Sequence, residues 1–217
     1  MLEQGKKGVG FAVGTEPLPA YFASKGCSIL ATDLGMDNVA ANNWISTGQN
    51  ASGNIDILNR NNLCKKEIFM ERVKYKNLDM NNIPDAIKDF DFCWSSCAIE
   101  HLGSLNKSKQ FLKNMLKTLK PGGWAVHTTE FNLSSNEDTI TEGDSVIYRK
   151  KDVQEIAKWL KREGHEICLD FSLGNNEGDL FTDQPPYYQI NPKYHLRLNI
   201  GGYDSTSFGF VIRKHNK

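Results

Sequence analysis

Short apolar runs that close on a glycine or an acid recur along this chain, and stretches of helical periodicity separate them. That alternation restricts the fold more than any other feature, because strands spaced by helices pair most readily in parallel. KGVGFAV (7–13) ends at Gly14, and PLPAYFASKG (17–26) reads as a short helix with Pro17 in its first turn and Gly26 past its end. CSILATD (27–33) is a second strand, RVKYKNLD (72–79) a third and FDFCWSS (90–96) a fourth, while the Asn-rich stretch 34–62 reads as a loop with one poorly marked helix. Phe111, Leu112, Met115, Leu116 and Leu119 recur at helical spacing until Pro121, Gly122 and Gly123 stop them, and WAVHTTE (124–130) follows as a fifth strand. A second amphipathic helix, 151–164, carries Val153, Ile156, Ala157 and Leu160, and 165–172 is a sixth strand. An insertion rich in Pro and Tyr (173–195) precedes the closing strands YHLRLNI and TSFGFVIRK. The pattern predicts a doubly wound, mostly parallel α/β sheet in one domain, 1–217.

Composition excludes several classes. Lys+Arg and Asp+Glu both number 26, so no net charge draws the chain to nucleic acid. No apolar stretch approaches the ~20 residues that span a bilayer, and MLEQGKKGVG lacks the apolar core of a signal peptide. Cysteines at 27, 64, 93, 97 and 168 form no CxxC pair, which predicts a reduced, cytoplasmic protein without a disulfide framework or metal site. The oligomeric state is left open.

In doubly wound sheets ligands bind beyond the carboxyl ends of the strands. That rule selects residues 10–16, 33–37, 79–80, 95–101 and 127–131. The glycine turn after the first strand suits a nucleotide, yet GxxxxGK[ST] is absent and the register Gly8, Gly10, Gly14 misplaces the third glycine of GxGxxG. Asp33 stands where a carboxylate accepts from both ribose hydroxyls, and Asp79 where one accepts from an adenine amino group; each is also a good cap or turn former. Met80 and Ser95 fall on the same edge.

In order, VGFAVGTEP, ILATDL, NLDMNNIP, FDFCWSSCAIEHL and LKPGGWAVHTTE resemble the motif set of the class I S-adenosylmethionine-dependent methyltransferases over residues 8–131. The resemblance implies a seven-stranded Rossmann-like sheet with an antiparallel last strand, and S-adenosylmethionine as cofactor. The family's first motif, acid-x-Gly-x-Gly-x-Gly, falls on Gly10, Ala12, Gly14 and Glu16. With no acid at position 10, the usual partner of the methionine ammonium group is missing, and Glu16 either replaces it or serves the dipole of the following helix. Family members carry helices before the first strand; with about seven residues there, either the chain is shortened or residues 34–62, with Trp44, Thr47 and Gln49, cover the site.

Methyl transfer from a sulfonium is an in-line displacement in which alignment supplies much of the rate, and an alcohol acceptor also needs a base. The resemblance implies that residues after strand four line the acceptor pocket, making His101 the candidate base and Glu100 its neighbour. Alternation along HTTEF sends His127 and Thr129 to one face and Thr128 and Glu130 to the other, so Glu130 is the substrate-contact candidate. Arg149 and Tyr187 are candidates in the later loops. The later chain is also similar to stand-alone bacterial methyltransferases associated with surface polysaccharide, which implies a small-molecule acceptor such as a sugar hydroxyl or an oxyanion on a glycan substituent. For an oxyanion no base is needed and His101 positions the acceptor. An NAD-dependent oxidoreductase and a silent cofactor-binding domain remain as alternatives.

Overall fold

A computed structural model describes residues 3–51, 53–191 and 193–215. The chain divides into two compact units, the first from the described residues of 1–96, 111–126 and 214–217, the second from 97–110 and 127–213.

The first unit opens with β1 (Lys7–Gly10), α1 (Leu18–Ser24), β2 (Ser28–Asp33), α2 (Asn42–Ser46), α3 (Lys66–Arg72), β3 (Val73–Asn77) and β4 (Phe90–Ser95). Helix α4 (Leu105–Met115) and strand β5 (Leu119–Asn132) run through both units. Strand order here is β3-β2-β1-β4-β5, and β1 pairs in parallel with both β2 and β4. Gly8 and Gly10 lie opposite Phe92 and Trp94 in the β1–β4 register. A Cβ on either glycine would come within 2.4 Å of the Phe92 or Trp94 ring. These two glycines are therefore packing residues that let the aromatic rings of β4 cross β1. Phe22 of α1 meets both rings edge-on, at 5.2 and 4.9 Å, and each such pair adds about 0.5–1.5 kcal/mol beyond its buried area.

The second unit adds α5 (Lys150–Arg162), β6 (Glu166–Cys168), α6 (Glu177–Leu180), β7 (Thr182–Asp183), β8 (Arg197–Ile200) and β9 (Tyr203–Arg213). Its strand order is β5-β9-β8-β7, with β6 on β9, and β9 runs antiparallel to β6 and β8. Helix α5 buries Val153, Ile156, Ala157 and Leu160, the stripe its periodicity predicts. Phe208 lies 5.0 Å from both Phe131 and Phe171.

The doubly wound, mostly parallel architecture with an antiparallel last strand is as expected, but among the described residues the sheet has nine strands and not seven. The additional pairing includes the two-residue β7 inside the expected insertion 173–195, parallel to β8. Gly201 and Gly202, with φ of 55° and 89°, turn β8 into β9 as a tight hairpin. A second correction concerns Pro121-Gly122-Gly123, read as a stop. The strand β5 begins at Leu119 and runs through them, because the Gly122 N–H donates to Lys214 O (3.1 Å) and the Lys214 N–H to Gly123 O (2.8 Å). The segment 34–62 holds short helical turns at Val39–Ala41 and Ile55–Asn59 as well as α2.

Candidate functional site

Within the first unit, residues 11–16 form a turn sewn to the carboxyl ends of β2 and β4. The Phe11 N–H donates to Trp94 O (2.9 Å) and the Val13 N–H to Thr32 O (3.0 Å). Ala12 (φ 47°) and Gly14 (φ 55°) take left-handed backbone. At Gly14 a side chain is doubly disfavoured, since a Cβ would sit 2.7 Å from the Gln49 carbonyl oxygen.

Asp33 ends β2, buried, and clamps this turn. Its Oδ2 accepts from the Gly14 N–H at 2.9 Å and its Oδ1 from the Leu34 N–H at 2.8 Å. Burial raises its pKa, opposed by those two backbone donors. A carboxylate oxygen accepts two hydrogen bonds, so capacity remains on each.

Glu16 stands directly before Pro17, the N-cap of α1, which has no side-chain cap bond, and its carboxylate is engaged elsewhere. Its Oε1 accepts from the Trp94 indole N–H at 2.6 Å and its Oε2 from the Ser96 hydroxyl at 2.8 Å. The carboxylate is fixed beyond β4, its pKa raised by burial and held back by these two donors. Ser95 is buried at the end of β4 and Met80 is buried after β3. Asp79 lies two residues past β3 and not at its end; its Oδ1 accepts from the Asn81 N–H at 2.8 Å, which makes it a turn former.

The second unit gathers the expected acceptor residues differently. Glu100 is buried and accepts from the Thr129 hydroxyl at 3.2 Å; Glu130 accepts from the Ser205 hydroxyl. The ligand atoms of Cys97, Glu100 and Glu130 all lie within 4.8 Å of one another. Burial first, and then the Glu130 charge, push the Glu100 carboxyl up to about 8, so it holds its proton at neutral pH. Cys97 (φ 44°) donates its N–H to Thr128 Oγ1 at 2.9 Å, and its thiol lies 3.4 Å from Ser207 Oγ, with burial raising its pKa. Cys97 and Thr128 fall in the stretches 95–101 and 127–131 without being singled out as site residues, and Ser205 and Ser207 lie outside every selected stretch; their shared face of β9 is the available signal.

His101 donates Nδ1–H to the Asp144 carbonyl at 2.6 Å, which leaves the lone pair on Nε2. Burial lowers its pKa and favours the neutral ring. His127 is buried, pushed by burial down to about 3. Arg149 is placed otherwise than expected of an acceptor contact. Its Nε donates to Asp152 Oδ2 at 2.7 Å and Nη2 to Oδ1 at 3.2 Å, while Nη1 donates to Glu137 O, and the set caps α5. The Tyr187 hydroxyl donates to Asn199 O at 2.9 Å.

A family model described as a methyltransferase domain matches residues 9–127. No curated protein sequence matches the chain. Among solved structures, the cyclase SpnF is similar at 14% identity and TM-score 0.61, covering 100% of this chain and 78% of that one. A DhpI–SAH complex is similar at 11% identity and TM-score 0.53, covering 98% and 78%. Phosphoethanolamine N-methyltransferase 2 from Haemonchus contortus, solved with S-adenosyl-L-methionine, is similar at 17% identity and TM-score 0.54, covering 98% of this chain and 49% of that one. At such identities the likeness is one of fold, which hosts a cyclase and an N-methyltransferase alike.

Proposed function

We infer the reaction from lineage and site together: this chain belongs to the class I S-adenosylmethionine-dependent methyltransferase family, and it transfers the sulfonium methyl group to an oxygen of a small-molecule acceptor. The observation that carries the cofactor is the Gly14 N–H on the Asp33 carboxylate, a left-handed glycine turn closed on an acid at the end of β2. Asp33 receives the ribose hydroxyls on its remaining acceptor positions, and the turn backbone from Gly10 through Ala12 to Gly14 borders the methionine portion. Glu16 takes the role of the acid missing at position 10 and accepts from the methionine ammonium group. Asp79, Met80 and Ser95 border the adenine side.

Glu100, His101, Glu130 and Tyr187 contact the acceptor, with His101 positioning it. The acceptor class is a sugar hydroxyl or an oxyanion of a glycan substituent, consistent with a polar cluster of carboxyl and hydroxyl groups and with no charge excess for nucleic acid. Bound cofactor supplies an activated methyl group; the chain's task is to align it with the acceptor and exclude water. We read the chain as one functional domain, with 173–195 as its acceptor loop, working in the cytoplasm; among the described residues no helix is long and apolar enough to cross a membrane.

Calorimetric titration with S-adenosylmethionine, S-adenosylhomocysteine and NAD in parallel tests the cofactor. Micromolar binding of the first two without NAD supports it. Heat from NAD alone would transfer the turn to an oxidoreductase, and binding of the sulfonium pair without methyl transfer to any acceptor would favour a silent cofactor-binding domain.

A further inference from the structure

The insertion 173–195 contains a further pair of interacting side chains, Asp183 and His195. His195 Nδ1 lies 2.8 Å from Asp183 Oδ2, and the Asp183 side chain is fully buried. The same Oδ2 accepts from the Tyr188 N–H at 3.0 Å, and that backbone bond first, then the imidazole, hold the Asp183 carboxyl below the usual range. An ionised carboxylate only accepts, so Nδ1 carries the hydrogen and the basic lone pair lies on Nε2. The ring is fixed as well as the tautomer. Tyr188, itself in left-handed backbone (φ 64°), stacks on it at 4.0 Å, and Tyr187 meets it edge-on at 5.4 Å. The His195 side chain keeps 29% of its surface exposed, so water can carry a proton away from it.

The strand register locates this pair relative to Glu130. Asp183 pairs with Leu198, and Leu198 pairs with Ser205. Residues paired across neighbouring strands project to the same face. Ser205 on that face donates to Glu130. Tyr187 lies within range of both charges, its hydroxyl pKa raised by burial and then by Glu130 and Asp183. His101 and His195 also differ in kind. His101 donates to a backbone carbonyl, whereas His195 donates to a carboxylate, a charged acceptor whose stronger bond fixes the ring and its tautomer together.

We propose that His195, oriented by Asp183, is the general base that removes the hydroxyl proton of the acceptor during methyl transfer. The acceptor oxygen bonds to the methyl carbon as the carbon–sulfur bond breaks. The hydroxyl proton passes to His195 Nε2, S-adenosylhomocysteine leaves, and the imidazolium returns its proton to water. His195 is then the catalytic residue, Asp183 a positioning residue and His101 an acceptor contact. This assignment rests on the oxygen-acceptor reading and narrows it to a hydroxyl, since an oxyanion needs no base.

The test follows transfer of tritiated methyl from S-adenosylmethionine to a panel of methyl hexopyranosides and methyl hexuronides. With a neutral hexoside, His195→Gln is expected to lower kcat by about 10²–10⁴-fold with little change in KM, and Asp183→Asn to lower kcat by a smaller factor, again without a KM effect. Cofactor binding by each variant verifies that it has folded. Wild-type turnover by His195→Gln, or methylation of hexuronide carboxylates alone, overturns the base and leaves the oxygen-acceptor reading standing. Methylation of no member of the panel overturns both. Independently of any acceptor, imidazole ¹⁵N shifts should show the Nδ1–H tautomer at His195; the Nε2–H tautomer overturns the proposal.

Discussion

The Trp94 indole N–H reaches Glu16 Oε1 at 2.6 Å, and the same indole fills the space that a Cβ on Gly10 would need. One aromatic ring thus accounts for two departures from the family's first motif. It forbids an acid at position 10 and it holds an acid at position 16. The glycine rhythm at the start of the chain combines two unrelated demands: Gly8 and Gly10 admit the rings of β4, and Gly14 makes the turn.

Glu16→Gln is expected to weaken S-adenosylmethionine binding by about 10–100-fold, the range of a hydrogen bond to a charged group. Gln keeps an acceptor for Trp94 and a donor for Ser96, so the unfolding midpoint should change far less. Calorimetry and urea unfolding on one preparation give both numbers. An unchanged affinity would assign Glu16 to structure alone.

Restoring the family's acid by Gly10→Asp is expected to destabilise the chain by about 3 kcal/mol or more, since the new side chain meets Trp94 and Val13 within 2.5 Å and brings a charge into an aromatic layer. Gly209→Ala is the control. Nothing lies within 4 Å of its Cβ position, and a change within about 0.5 kcal/mol is expected. Equal effects from the two substitutions would refute the packing account of Gly10.

What the sequence disclosed and what it hid follow from separation along the chain. Asp33 was legible because an acid closing an apolar run marks a strand end, and α5 because its stripe repeats within one segment. The bond between Glu16 and Trp94 spans 78 positions and the one between Glu130 and Ser205 spans 75, and no local pattern encodes either. Pro121-Gly122-Gly123 misled because Lys214, near the other end, supplies the bonds that carry β5 through it. Gly201-Gly202, between two strand-like runs, is a local hairpin signal.

Arg149→Met should behave as a loss of a helix cap and not as a loss of a substrate contact. Asp152 would lose both guanidinium bonds and keep the backbone N–H of position 149, at 3.1 Å, and Lys109, at 3.6 Å, while its own side chain is 4% exposed. A cost of about 1–3 kcal/mol in urea unfolding is expected, with acceptor KM within twofold of wild type. A tenfold rise in KM at unchanged stability would return Arg149 to the acceptor site.

Glu100 gives the chain a pH signature of definite sign. Its carboxyl is raised from 4.5 to about 8 by burial, with Glu130 adding to the shift. The folded state therefore binds the proton more tightly than the unfolded state. The stability this confers is complete below about 4.5 and is lost as pH rises through about 8. At about 1.4 kcal/mol per pK unit, the loss amounts to as much as about 5 kcal/mol. His127, pushed from 6.5 down to about 3, acts in the opposite direction and loses stability as pH falls through that window. Glu100→Gln retains His127, so the His127 contribution cancels when the variant and the wild type are compared at each pH. Urea unfolding at intervals from pH 4.5 to 8.5 should show the variant gaining on the wild type steadily as pH rises. A difference that stays flat across that range would mean that Glu100 ionises normally, and that the cluster with Cys97 and Glu130 holds its charge without a shared proton.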